Sequence, residues 1–87
     1  MWFVYMLRCG NGSLYVGETS DVAQRVADHN RGRGSAYTAK HRPVQLAYLE
    51  QHPSRGDCLQ RERQLKRWTR AKKEALIAGD SITLKKL

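Results

Sequence analysis

The sequence has no long apolar run. The run Trp2 to Leu7, with Met1 before it, is seven residues in all, against the roughly 20 that a membrane-spanning helix needs. No charged n-region precedes that run and a Gly-rich turn follows it, so it does not read as a secretory signal; the expected setting is cytoplasmic. Cysteine is scarce. Cys9 and Cys58 stand far apart and form no Cys-x-x-Cys, which argues against a zinc site and against a disulfide framework; both are expected as buried small hydrophobes. There is no Gly-x-Ser-x-Gly, no Walker loop and no His-Glu-x-x-His, no paired acids for a two-metal centre, no internal repeat and no linker. Acidic residues are also in short supply: 8 Asp+Glu face 16 Lys+Arg, a net charge of +8. That excess makes a polyanion the expected partner, either nucleic acid or a membrane surface.

What remains is enough for a small core. With 87 residues and a hydrophobic fraction of 40%, the chain is expected to form one domain over residues 1–87. The charge is uneven. Residues 1–30 carry two basic and three acidic residues; residues 31–87 carry 14 basic and five acidic. The stretch Arg61 to Lys73 holds seven cations and one acid, Glu62. If the partner is nucleic acid, this half tracks phosphates, with strong salt dependence and little base readout; the plainer reading is a solvated helix face.

Trp2 to Leu7 is apolar on both faces, which suits a central strand. Gly10-Asn11-Gly12 marks a hairpin, and Leu14 to Gly17 a second, antiparallel strand. Thr19, Ser20 and Asp21 offer N-caps for a helix near 21–30, with Val22, Ala23, Val26 and Ala27 as its apolar stripe. Residues 31–45 read as a long loop, of a length often tied to function. Val44 to Glu50 reads as a third strand, followed by a helix over about 55–69 and another from Arg70 to Ala78 that ends at Gly79. The order is β-β-α-β-α-α, an α/β domain with a small, three-stranded, mainly antiparallel sheet flanked by helices.

Few residues are left to carry chemistry. On the first helix Arg25 and His29 are i,i+4 neighbours stacked beside the apolar face. They are either ordinary boundary residues or a cation and an imidazole that meet a substrate phosphate together. On the second helix Glu62 falls inside the arc that contains Cys58 and Leu65. It is either half of an i,i+4 pair with Lys66, worth a few tenths of a kcal/mol, or a ligand.

Taken in order, these pieces resemble the GIY-YIG nuclease superfamily, specifically its small single-domain bacterial members of the UPF0213 type. The residues that carry the resemblance are Phe3-Val4-Tyr5, then Tyr15-Val16-Gly17, Arg25, His29, and Glu62 within Cys58-Leu59-Gln60-Arg61-Glu62. It covers residues 2 to about 78. Phe3 departs from the first Gly of the family pattern and Val16 from its Ile. Larger family nucleases also carry an Asn beyond the Glu helix and separate DNA-binding domains, whereas this chain has no Asn after Asn30.

The resemblance implies a GIY-YIG-type fold and a metal-dependent endonuclease acting on DNA, by structure or context rather than by sequence. It implies Mg2+, with Mn2+ as the substitute, held by Glu62 as the only protein ligand. Arg25 would neutralise the phosphate and Tyr15 hydrogen-bond within the network. Either Tyr5 or His29 would serve as general base, Tyr5 only if a cation lowers its pKa. Arg31, Arg33, Lys40, Arg42 and Lys66 would bind phosphates, and Tyr37 would stack on a base or cover the core. DNA stands ahead of RNA as partner, no membrane is expected, and two-strand cleavage would call for a dimer or a partner protein. The competing reading is a non-catalytic DNA- or RNA-binding module that keeps the fold. A membrane-surface protein would need a cleaner apolar helix face than the second helix offers.

The geometry carries a demand. Both tyrosines must face one surface, and a two-residue Asn11-Gly12 turn would put them on opposite faces. A three-residue loop, Gly10-Asn11-Gly12, pairs Tyr15 with Leu7 and puts them on the same one. The expected loop is therefore the three-residue one, with Gly12 left-handed.

Overall fold

The computed structural model describes residues 1–86, the side chain of Thr83 excepted; Leu87, the last residue of the expected domain range, lies outside them. Strand β1 (Trp2–Arg8) lies between β2 (Leu14–Thr19) and β3 (Gln45–His52), antiparallel to both. Its central place follows from its two apolar faces. Val4 and Met6 are buried on one, with Val16, Cys58 and Leu65; Tyr5 and Leu7 are buried on the other, with Cys9 and Val44. Both cysteines are buried and free. Helices α1 (Val22–Asn30) and α2 (Ala36–Lys40) belong to the Tyr5 side, α3 (Arg55–Lys66) and α4 (Arg70–Ala78) to the Val4 side. A short α5 (Ser81–Lys86) packs on α4.

The hairpin takes the three-residue form. Cys9 N–H donates to Ser13 O at 2.9 Å and Gly12 N–H to Cys9 O at 2.8 Å, with Gly12 at φ +84°. The register pairs Leu7 with Tyr15 and Tyr5 with Gly17, so both tyrosines face the α1–α2 side.

Side-chain caps set the helix starts. The oxygens of Asp21, Ser35, Ser54 and Thr69 accept from Gln24, Thr38, Asp57 and Lys72 N–H, each satisfying a donor that a first turn leaves open. Gly79, left-handed at φ +70°, closes α4.

The elements differ from the sequence reading at several points. Strand β1 runs one residue further, to Arg8, and β2 two further, to Thr19, and α5 was not expected. The loop over 31–45 contains a helical turn, α2, capped by Ser35. Helix α3 ends at Lys66 rather than 69, because Thr69 caps the next helix. Strand β3 starts one residue later and runs two residues further, to His52. A bulge sets Met6 against Tyr48 and Leu7 against Leu46, leaving Ala47 extra.

Candidate active site

The site begins with a missing side chain. Gly17 lies opposite Tyr5 in the β1–β2 ladder. A Cβ there would overlap the Tyr5 phenol, so the ring of β1 crosses β2 where Gly17 leaves room. Gly34 does the same for His29, whose imidazole occupies the space a Cβ would take.

Into these spaces the two rings converge. The Tyr5 hydroxyl lies 2.9 Å from His29 Nε2, and both residues are buried, at 1% and 0% exposure. Tyr15 packs edge-on against the same imidazole, centroids 5.0 Å apart. Arg25, one turn before His29, lies against the Tyr5 phenol and donates from Nη2 to Gly34 O at 3.1 Å. Behind His29 stands Thr38, also 0% exposed, with Oγ1 2.7 Å from His29 Nδ1.

In the donor pattern that gives the Tyr5 proton an acceptor, Thr38 Oγ1 donates to Ser35, either to its O at 3.3 Å or to its Oγ at 2.9 Å. Oγ1 then accepts from His29 Nδ1–H, and Nε2 accepts the Tyr5 O–H. Burial, helped by the Arg25 cation, lowers the pKa of His29, so the ring is neutral. Burial also pushes Tyr5 up to about 12, although the hydrogen-bonding Arg25 guanidinium pulls the other way. Arg25 itself is raised, chiefly by its bond to Tyr5, and stays a cation.

Glu62 comes from the other side of the sheet. Its side chain is 18% exposed and Oε1 is 3.1 Å from Lys66 Nζ. Among the described residues it makes no hydrogen bond to the tyrosine cluster, but its charge is felt by Tyr5. The structure thus brings Tyr5, Tyr15, Arg25 and His29 into contact and sets Glu62 within electrostatic reach. Among the described residues no group of three His, Cys, Asp or Glu could hold a metal. Both His29 nitrogens are taken, by Tyr5 and Thr38, so the remaining donors are oxygen: one carboxylate and two phenols. Such a set fits Mg2+, which keeps most of its waters and takes one or two carboxylates, and does not fit zinc.

Four of the five cations assigned to phosphate lie around α2; the fifth, Lys66, is on α3 and pairs with Glu62. Arg31, Arg33, Lys40 and Arg42 belong to this segment, and Arg31 is 3.9 Å from Asp28. Arg42 is braced by Ala39 O and Asn30 O and lines an open hollow with Lys40. Tyr37 is 43% exposed, tilted against the His41 ring, and donates to Ser13 Oγ at 2.6 Å. It ties α2 to the hairpin and covers no core. Thr38, Ser35 and Gly34 escaped the sequence reading. The available signal was Gly34-Ser35 ahead of Ala36-Tyr37-Thr38-Ala39-Lys40, a cap before helix-forming residues.

Residues 1–75 match the GIY-YIG catalytic domain family. UPF0213 proteins of Staphylococcus aureus strains Mu3 and N315 are each 48% identical to the chain over 75 residues, which is 86% of this chain and 92% of theirs. The solution structure of the UPF0213 protein BH0048 from Bacillus halodurans superposes with a TM-score of 0.58 at 34% identity, covering 98% of this chain and 94% of that one. No described helix is long and apolar enough to cross a membrane. The chain belongs to the GIY-YIG nuclease superfamily and, within it, to the UPF0213 group.

Proposed function

We propose that the chain is a divalent-metal-dependent endonuclease that hydrolyses phosphodiester bonds in DNA, acting as one domain and selecting by structure or context rather than by base sequence. The supporting observation is the buried Tyr5–His29 hydrogen bond with Arg25 against the same phenol. Burying these polar groups costs desolvation that apolar side chains in their place would avoid.

The pKa values favour one division of labour. A Tyr5 phenolate lies about five units above neutral pH, a cost of roughly 7 kcal/mol. A neutral His29 is already waiting at the phenol. The attacking water therefore gives its proton to the Tyr5 oxygen as the Tyr5 proton passes to His29 Nε2. Tyr5 stays neutral and His29 ends protonated. The new P–O bond forms as the bond to the leaving sugar oxygen breaks. Arg25 neutralises charge building on the phosphate oxygens, and Tyr15 keeps the imidazole facing Tyr5. Glu62 would hold Mg2+ or Mn2+, which would stabilise the leaving oxygen as a Lewis acid. Arg31, Arg33, Lys40 and Arg42 hold the strand by its phosphates. Lys66, now paired with Glu62, would join them with a metal held at Glu62.

The test is cleavage of labelled single-stranded, duplex, flapped and branched DNA, and of RNA, with Mg2+, Mn2+ or chelator. Metal-dependent cutting by wild type, reduced about 100-fold or more in Glu62→Ala, is the expected result. Salt-sensitive binding without cutting, equal in both proteins, would leave a binding module.

A further inference from the structure

Away from the tyrosine cluster, on the outer side of α3, four residues at helical spacing share one stripe: Gln60, Arg63, Gln64 and Arg67. With Trp68 they line a shallow concavity of about 290 Å³. Trp68 continues the surface into α4, because Lys72 Nζ lies 4.4 Å from its ring centroid; Arg61 lies 5.2 Å from the same centroid.

The acids nearby are already engaged. Glu50 accepts from Tyr48, His52 and Arg61, Glu62 pairs with Lys66, and Glu74 pairs with Arg8 and Arg70. Among the described residues Arg63, Arg67, Lys72 and Lys73 form no ion pair. Four uncompensated cations on two consecutive helices repel one another, and a polyanion relieves that repulsion.

We infer that this α3–α4 surface binds the phosphate backbone of a nucleic-acid segment other than the one at the tyrosines. The backbone is favoured over the bases because Trp68 already has cations over its ring. The indole holds Lys72 in place and is not free as a stacking platform. Contact of this kind is indifferent to sequence and releases counterions. The inference rests on the nucleic-acid reading above but not on catalysis.

The experiment is anisotropy titration of a labelled mixed-sequence DNA duplex, in chelator, over a series of NaCl concentrations. Wild type is compared with Arg63→Ala/Arg67→Ala and with Lys85→Ala/Lys86→Ala, which removes the same charge elsewhere. The expected result is a log K against log salt slope shallower by about 1.8 in the arginine variant, roughly 0.9 for each lost phosphate contact, and unchanged in the lysine variant. Equal slopes for all three proteins, an equal loss in both variants, or no wild-type binding would overturn it. If the arginine effect holds while wild type cuts nothing with Mg2+, the nuclease reading fails and the α3–α4 surface stands. If wild type cuts and the arginine effect is missing, the surface fails and the nuclease reading stands.

Discussion

A hydroxyl at position 38 decides which nitrogen of His29 is free. In the proposed relay Thr38 Oγ1, 2.7 Å from Nδ1, accepts the Nδ1 proton, which leaves Nε2 to accept from Tyr5. Thr38→Val keeps the shape and removes the acceptor, leaving a buried N–H unpaired at a cost of about 1–3 kcal/mol. Its expected signature is a changed ¹⁵N tautomer pattern for His29 and cleavage lowered about 100-fold, with Thr38→Ser retaining both. An unaltered tautomer in the valine variant would count against the relay. Gly17→Ala tests the same geometry from the other end. The new methyl would overlap Tyr5 and cost about 1–3 kcal/mol through overpacking. Thermal melts should show that modest loss, and cleavage should fall far more than the melt accounts for, because the displaced group is the phenol itself.

Between elements, the hairpin tip is the joint. Arg8 in β1 makes a two-pronged pair with Glu74 in α4, at 2.6 and 2.7 Å. Arg70 reaches the same carboxylate and donates to Gly12 O. Glu74 is 35% exposed, so Glu74→Ala is expected to cost only about 0.5–1 kcal/mol, read as a small drop in denaturant midpoint. The elements themselves were legible where local chemistry decides. Asp21 and Gly79 sit at helix ends, and the demand that two tyrosines share a face selected the hairpin loop. They were not legible where tertiary contacts decide. Helix α2, five residues long, is too short to stand alone. It exists because Thr38 is buried under His29 and Tyr37 is tied to Ser13, and neither contact is visible in a local pattern. The end of α3 was missed because Thr69 reads equally well as a last turn or as the next cap.

At the scale of the molecule, the site is a meeting of two faces of one sheet. Tyr5, Tyr15, Arg25 and His29 were recoverable as an ordered set, but the helix wheel left Arg25 and His29 between boundary residues and a site. Burial of His29 at 0% exposure with both nitrogens bonded is a fact of packing that no periodicity states. The wheel also left Glu62 between ion pair and ligand. The structure contains the pair with Lys66, and a metal would have to displace it. The sharpest test of the proton relay is the pH–rate profile of Mg2+-dependent cleavage by the whole chain under single-turnover conditions. In the proposed relay the proton acceptor is neutral His29, whose pKa lies below its ordinary 6.5 because of burial. The rate is therefore lost as pH falls below that value and is level from about pH 7 to 9. A rate that instead climbs about tenfold per unit through roughly pH 9, toward a Tyr5 pKa of about 12, would make the phenolate the base and contradict the relay.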